Sequence, residues 1–199
     1  MSTRAGTTTA LLVIDLQEQV LETAWQRDDV IARTAGLIAR AREQQTPIVF
    51  VQHHATDGGG LVRGTEGWKF AAAVAPGRGD TLVEKNYSDA FVGTDLGAIL
   101  DELDASHLVV AGAETDACIT TTVRRALTEG YDVTLVEDCH TTSDRKFDDT
   151  RVEGDIHIDA VQVVAHTNLC VWSLTYPGQV STVVPAAEID FALPEPVAS

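Results

Sequence analysis

The chain predicts an α/β fold, a three-layer α/β/α arrangement around one six-stranded, mainly parallel sheet, in a single domain over residues 1–199. Two observations predict it. Short, nearly continuous apolar runs recur from Ala10 to Val184, which is how strands buried on both faces read. Amphipathic segments of helical period lie between them, and such alternation implies parallel strands joined by right-handed crossovers.

The first strand is residues 10–14, and it ends at Asp15. A helix over 29–45 carries Val30, Ile31, Leu37, Ile38 and Ala41 on one face and arginines on the other. Pro47 stops it, and 48–51 is the second strand. A short third strand covers 81–84. Leu96, Ile99, Leu100 and Leu103 line one side of a helix over 95–103, and 108–111 is the fourth strand. The next helix runs from about 117 to 129, with Gly130 as its stop. Residues 131–136 form the fifth strand, 155–174 a long apolar-faced helix, and 180–184 the last strand.

Two segments fall outside this alternation. Residues 54–79 are a long glycine-rich connection holding Gly58, Gly59, Gly60, Trp68 and Phe70, and such a length suits a lid, a binding loop or a subunit contact. The tail 185–199 is punctuated by prolines and is expected to pack as an extended strap.

Cys118 lies where the fourth strand gives way to the helix after it. A thiol there is close to the first unpaired N–H groups of the helix, and those groups with the helix dipole favour a thiolate. The same donors can hold a developing oxyanion. The alternative is an inert packed cysteine. In parallel sheets, ligands sit beyond the carboxyl ends of the strands, and Asp15, Lys85 and Cys118 all lie at or just past such ends.

Composition narrows the function. Apolar residues make up 44% and charged residues 22%, a globular balance. The net charge of −16 repels phosphate backbones, so no nucleic-acid partner is expected. Three cysteines without C-x-x-C spacing make neither a disulfide framework nor a zinc cluster, and a reducing cytoplasm fits best. No apolar run approaches the roughly 18 residues that a membrane span needs, and the polar start carries no leader pattern.

Three segments carry a resemblance. They are Leu11–Leu12–Val13–Ile14–Asp15–Leu16–Gln17, then Glu84–Lys85–Asn86–Tyr87–Ser88–Asp89–Ala90–Phe91, then Gly112–Ala113–Glu114–Thr115–Asp116–Ala117–Cys118. With the Val-Glu-Asp-Cys-His run ending at His140, they resemble the isochorismatase-like cysteine hydrolases over roughly residues 10–174. The resemblance implies a Rossmann-like α/β/α domain and, for its amidohydrolase branch, an Asp-Lys-Cys catalytic triad matching Asp15, Lys85 and Cys118. It also implies a cis peptide between Ala113 and Glu114 that turns the Glu114 N–H toward the site beside that of Cys118, forming an oxyanion hole. Family members need no cofactor for this chemistry and commonly form homo-oligomers, here a dimer or tetramer.

Two departures narrow the substrate. Nicotinamidase members carry a metal site of an Asp and histidines after the second strand. Here Val51 and Gln52 stand in that region, and the adjacent His53 and His54 point to opposite faces of an extended segment, so no metal is expected. Isochorismatases that cleave a vinyl ether lack the nucleophilic cysteine, so Cys118 favours hydrolysis of a small amide, imide or ureido compound. Vinyl-ether hydrolysis with Asp15 as general acid, and a non-catalytic oligomeric family member, are the alternatives. Gln17, His54, Trp68 and Phe91 are candidates for substrate contact, with Trp25 and His140 behind them. Asp138, Cys139 and Cys170 are read as structural.

Overall fold

The computed structural model describes residues 4–56, 58–148 and 155–193. Its sheet has six strands in the order β3-β2-β1-β4-β5-β8. These are β1 (Thr8–Ile14), β2 (Ile48–His53), β3 (Thr81–Lys85), β4 (Ala105–Ala113), β5 (Asp132–Thr141) and β8 (Ser181–Val184). Every neighbouring pair in it is parallel. The helices are α1 (Arg27–Glu43), α2 (Leu96–Glu102), α3 (Thr120–Thr128) and α4 (Ala160–Trp172).

The period of two along each strand sorts side chains onto the two faces. Ala10, Leu12 and Ile14 of β1 point into one apolar layer with Leu96 and Leu100 of α2, Val123 and Leu127 of α3, and Val171 of α4. Leu11 and Val13 point into the other, with Leu37, Ile38 and Ala41 of α1 and with Ile189 and Phe191 of the tail. The tail thus packs on this layer through Ala186, Ile189 and Phe191, with one 3-10 turn at Ala186–Glu188; residues 194–199 lie outside the described residues. No described helix is long and apolar enough to cross a membrane.

One expected helix is corrected at its start. Residues 155–158 form a strand, β7 (Asp155–Ile158), antiparallel to β6 (Arg145–Asp148) in a separate two-stranded sheet. The Asp-Ile-His-Ile run alternates with the period of a strand, a signal that the longer apolar pattern masked. Helix α4 begins at Ala160, whose N–H donates to Asp144 Oδ1 at 2.8 Å. That bond satisfies one of the orphan donors of a first turn.

Two features shape the carboxyl edge of the sheet. Gly112 pairs with Ile14 at φ +139°, and a Cβ there would stand 2.0 Å from the Ile14 carbonyl oxygen. Only glycine lets β1 and β4 approach so closely where both strands reach the site. The β4–β5 register then jumps, since Val110 faces Leu135 but Gly112 faces His140. The bulge carries β5 on to Thr141 and sets His140 beside the end of β4.

Two buried histidines make folding sensitive to acid. His107 joins Thr9 at 3.0 Å and Thr134 at 2.9 Å, and Thr134 joins Thr182 at 2.8 Å, a polar ladder across β1, β4, β5 and β8. Burial pushes the His107 imidazole down to about 4, and His140, also buried, down to about 4. Unfolded histidines titrate near 6.5, so between about pH 6.5 and 4 the unfolded chain holds more protons. Stability is therefore full above about 6.5 and falls as pH drops toward 4, by on the order of 3 kcal/mol per histidine. Denaturant midpoints at pH 7.5 and 4.5 measure this, and equal midpoints would contradict it.

Candidate active site

Asp15 is the residue just past β1, at φ +51°, with its N–H on the Val51 carbonyl at 2.9 Å. Lys85 closes β3, opposite His53 at the end of β2. Cys118 follows β4. Strand order reverses at β1, which has β2 on one side and β4 on the other. The Asp15–Cys118 side of the site is thus a topological switch point, where open parallel sheets place ligands. Lys85 enters from two strands away, its long stem passing the end of β2.

These three side chains meet. Lys85 Nζ lies 2.5 Å from Asp15 Oδ2 and 3.2 Å from Cys118 Sγ. A third neighbour, His53 Nδ1, stands at 3.4 Å. An ammonium has three protons and no acceptor, so the His53 nitrogen accepts. Asp15 and Lys85 are each 1% exposed, and Cys118 is the half-buried member that borders solvent.

Charge is distributed unlike the sequence expectation. Burial raises the proton affinity of Asp15, with Lys85 opposing it only in part. Burial also works against the Lys85 ammonium, but Asp15 and Cys118 outweigh it and hold the proton more tightly than usual. Burial and then the Asp15 charge push the Cys118 thiol up to about 12, against the pull of Lys85. Burial and Asp15 therefore act against the expected helix-stabilised thiolate. Burial and the nearby Asp15 carboxylate, itself paired with the Lys85 ammonium, thus favour the proton staying on sulphur. Desolvation beside a carboxylate outweighs a helix terminus, whose effect is typically about 1 kcal/mol or less.

The helix that the sequence places at 117–129 is also refined. The Ala113–Glu114 peptide is cis. A π-turn follows at Thr115–Ile119, in which the Glu114 carbonyl accepts from Ile119 N–H and from Ala117 N–H, both at 3.1 Å. Helix α3 begins only at Thr120, so Cys118 sits inside the π-turn, between those two donors.

This turn is tied down at three successive residues. Glu114 Oε1 is 2.9 Å from Arg145 Nη2. Thr115 Oγ1 is 2.9 Å from His140 Nδ1, and His140 Nε2 is 2.8 Å from Asn168 Oδ1. Asn168 Nδ2 donates to the Glu137 carbonyl at 3.1 Å, which fixes the amide orientation. His140 therefore carries its proton on Nε2 and accepts from the Thr115 hydroxyl. Asp116 takes two bonds from Arg145, at 2.9 Å each, and one from Thr142 at 2.7 Å.

The remaining candidates are distributed around this centre. Gln17 is buried and commits its amide to backbone, accepting from His53 N–H and donating to the His53 and Trp68 carbonyls at 2.8–2.9 Å. It ties the glycine-rich segment to the sheet. Gln52 donates to the same Trp68 carbonyl at 2.8 Å, which occupies the side chain standing where a metal-binding Asp would be. His54 is half-buried against Asn86, which donates to its carbonyl at 2.7 Å. Phe91 packs on Tyr131 at 6.1 Å and borders the apolar layer that Cys118 also borders. Trp25 accepts from the Thr141 hydroxyl through its carbonyl and, with His140, lines a cavity between α1 and α4 of about 350 Å³.

Asp138 Oδ1 accepts from Ala186 N–H at 2.8 Å, a structural role. Cys139 is buried, and burial pushes it up to about 11. Cys170 is half-buried on α4, 3.4 Å from His166 Nε2. The residues that sequence reasoning missed are His53, Arg145 and Asn168. His53 had one signal, its place at the end of a predicted strand; the other two meet the site only through the β5 bulge and the β6–β7 pair.

The chain is similar to known proteins over most of its length. The Isochorismatase domain matches residues 9–160. A streptothricin hydrolase of Streptomyces noursei is 33% identical over 189 residues, 93% of this chain and 65% of that protein. This chain therefore spans just under two thirds of that relative's length. A maleamate amidohydrolase of Pseudomonas putida is 31% identical over 124 residues, 55% of this chain and 58% of its own. The crystal structure of an isochorismatase from Pseudomonas putida superposes with a TM-score of 0.79 at 30% identity, covering 92% of this chain and 90% of that one. N-carbamoylsarcosine amidase from Thermoplasma acidophilum, at 22% identity and TM-score 0.69, shares the fold over 92% of this chain and 99% of its own. With the domain match covering three quarters of its residues, the chain belongs to the isochorismatase-like family of hydrolases.

Proposed function

We propose that this chain is a cysteine hydrolase that cleaves a C–N bond of a small amide, imide or ureido compound through a thioester on Cys118. The observation that carries the reading is the single buried ammonium of Lys85, 2.5 Å from the Asp15 carboxylate and 3.2 Å from the Cys118 sulphur. The names of two relatives, streptothricin hydrolase and maleamate amidohydrolase, support hydrolysis of this kind.

The Cys118 sulphur attacks the carbonyl carbon while its proton passes to Asp15. A thiol held near 12 needs that base, and burial gives Asp15 the raised proton affinity that suits it. The carbonyl π pair moves onto oxygen, where the N–H groups of Glu114 and Cys118 stabilise it. As the C=O re-forms, the C–N bond breaks, Asp15 returns the proton to nitrogen, and ammonia or an amine departs. Water then attacks the thioester, giving its proton to Asp15, and that proton returns to sulphur as the thiol leaves. The sum is amide plus water to carboxylic acid plus ammonia or amine. Lys85 stays an ammonium throughout and keeps the charge on Asp15 tolerable. No cofactor enters any step. Gln17 holds the 54–79 segment in place, and His54, Trp68 and Phe91 surround the substrate.

Copies of the chain pair in this reading. Support comes from large apolar side chains exposed on α4, Val161, Leu169 and Trp172. Light scattering well above 21.3 kDa at micromolar concentration is expected, and a monomer would overturn the pairing.

The test is acid-quenched turnover of a panel of small amides and ureido acids, with streptothricin and maleamate included, followed by intact mass. Release of ammonia or amine, with an acyl adduct on Cys118 that hydroxylamine removes, is expected. Turnover that survives complete alkylation of Cys118 would overturn the reading.

A further inference from the structure

The nucleophile turn has little apolar anchoring of its own. Thr115 and Ile119 are buried, but Glu114 and Asp116 have side chains about one third exposed, at 31% and 33%. One guanidinium reaches both, and the Thr142 hydroxyl adds a bond to Asp116. Arg145 is the first residue of β6, which belongs to a two-stranded sheet separate from the main one. Its Nε and Nη2 meet the two oxygens of Asp116 at 2.9 Å each, in the parallel two-bond arrangement that suits a planar fork. Nη2 also reaches Glu114 Oε1 at 2.9 Å and Thr142 Oγ1 at 2.8 Å. The cis peptide precedes this span directly, so Arg145 grips the chain on both sides of Thr115 while His140 grips Thr115 itself.

We propose that Arg145 is a positioning residue for hydrolysis, clamping Glu114 and Asp116 so that the backbone N–H groups of the turn stay aimed at the developing oxyanion. The inference rests on the cysteine-hydrolase reading above. Oxyanion donors act only if they are in place before charge develops, so their aim is a transition-state property. Loosening the clamp therefore lowers kcat and leaves substrate binding nearly untouched. Burial raises the Asp116 proton affinity, but hydrogen bonds from Arg145 and Thr142 outweigh it, and the carboxyl stays below its usual range. The clamp is thus charged at any ordinary assay pH. Lysine keeps the charge but cannot give the parallel pair to Asp116 together with the bond to Glu114.

The experiment compares wild type, Arg145→Met, Arg145→Lys and Asp116→Asn on whichever amide the wild type hydrolyses. A parallel assay follows alkylation of Cys118 by iodoacetamide at pH 9, mapped by mass spectrometry. Alkylation is a displacement at carbon with no tetrahedral oxyanion, so it reports the nucleophile without the donors. A misplacement of about 1 Å can cost 10²-fold, so Arg145→Met should lower kcat roughly 10- to 100-fold with KM within about threefold. Its Cys118 alkylation rate should stay within about twofold of wild type, because displacement does not use the oxyanion donors. Arg145→Lys should recover part of kcat, and Asp116→Asn should resemble Arg145→Met. An unchanged kcat in Arg145→Met and Asp116→Asn overturns the proposal. So does a parallel fall in kcat and alkylation, which would mark a general loosening of the fold. If Arg145→Met does not fold, Asp116→Asn gives the same reading. Failure of the underlying reading looks different: hydrolysis then persists in Cys118→Ala, whatever Arg145 does.

Discussion

Replacing Cys118 with alanine removes hydrolysis of the substrate while the protein remains folded. The sulphur is half-buried at the rim of an apolar layer and contributes little packing, so stability should change by about 1 kcal/mol or less. The chemistry has no substitute for it. Without the sulphur, Asp15 could only direct water onto an unactivated amide, and the loss should be on the order of 10³-fold or more in kcat. Cys118→Ser keeps the geometry but offers a far less acidic, weaker nucleophile and should fall almost as low. The wild type should also lose activity as pH falls through the raised value of Asp15, because a protonated carboxyl cannot take the thiol proton. Steady-state kinetics beside circular dichroism decide this. Full turnover by Cys118→Ala would sink the thioester route and favour vinyl-ether cleavage with Asp15 as acid.

Lys85→Met damages both activity and stability. The ammonium and the Asp15 carboxylate are among the least exposed groups of the chain, at 0% and 2% of side-chain surface. Removing one partner of such a pair strands the other charge in a poorly solvated place, at a typical cost of about 3–5 kcal/mol. Asp15 escapes part of that cost by taking a proton, and a protonated Asp15 is no base. The Cys118 thiol, already near 12, also loses the one neighbour that lowers it. Denaturant unfolding should show the stability loss, smaller in Lys85→Met/Asp15→Asn, where neither charge remains. A single variant with wild-type stability, or a double variant less stable than it by the sum of both, would contradict the buried pair.

The strand–helix alternation was legible because strands buried on both faces must be apolar, and a parallel sheet must return by crossovers. That was enough to place Asp15, Lys85 and Cys118 at the same edge of one sheet. Where a pattern had two readings, the longer one misled: the apolar helix was begun at Asp155, although Asp155–Ile158 pairs with Arg145–Asp148.

From the chain alone came the sheet, its carboxyl edge, and the residue types that meet there. Tertiary structure alone decided what those residues are like. Cys118 holds its proton more tightly than an ordinary thiol because it is partly desolvated beside a carboxylate, and desolvation is a property of everything packed around it. His53, His140, Asn168 and Arg145 reach the site through strand register, a bulge in β5 and an outlying pair of antiparallel strands. Local sequence encodes propensity and period. Which side chains lie within a hydrogen bond of one another across distant segments is set only when the layers close.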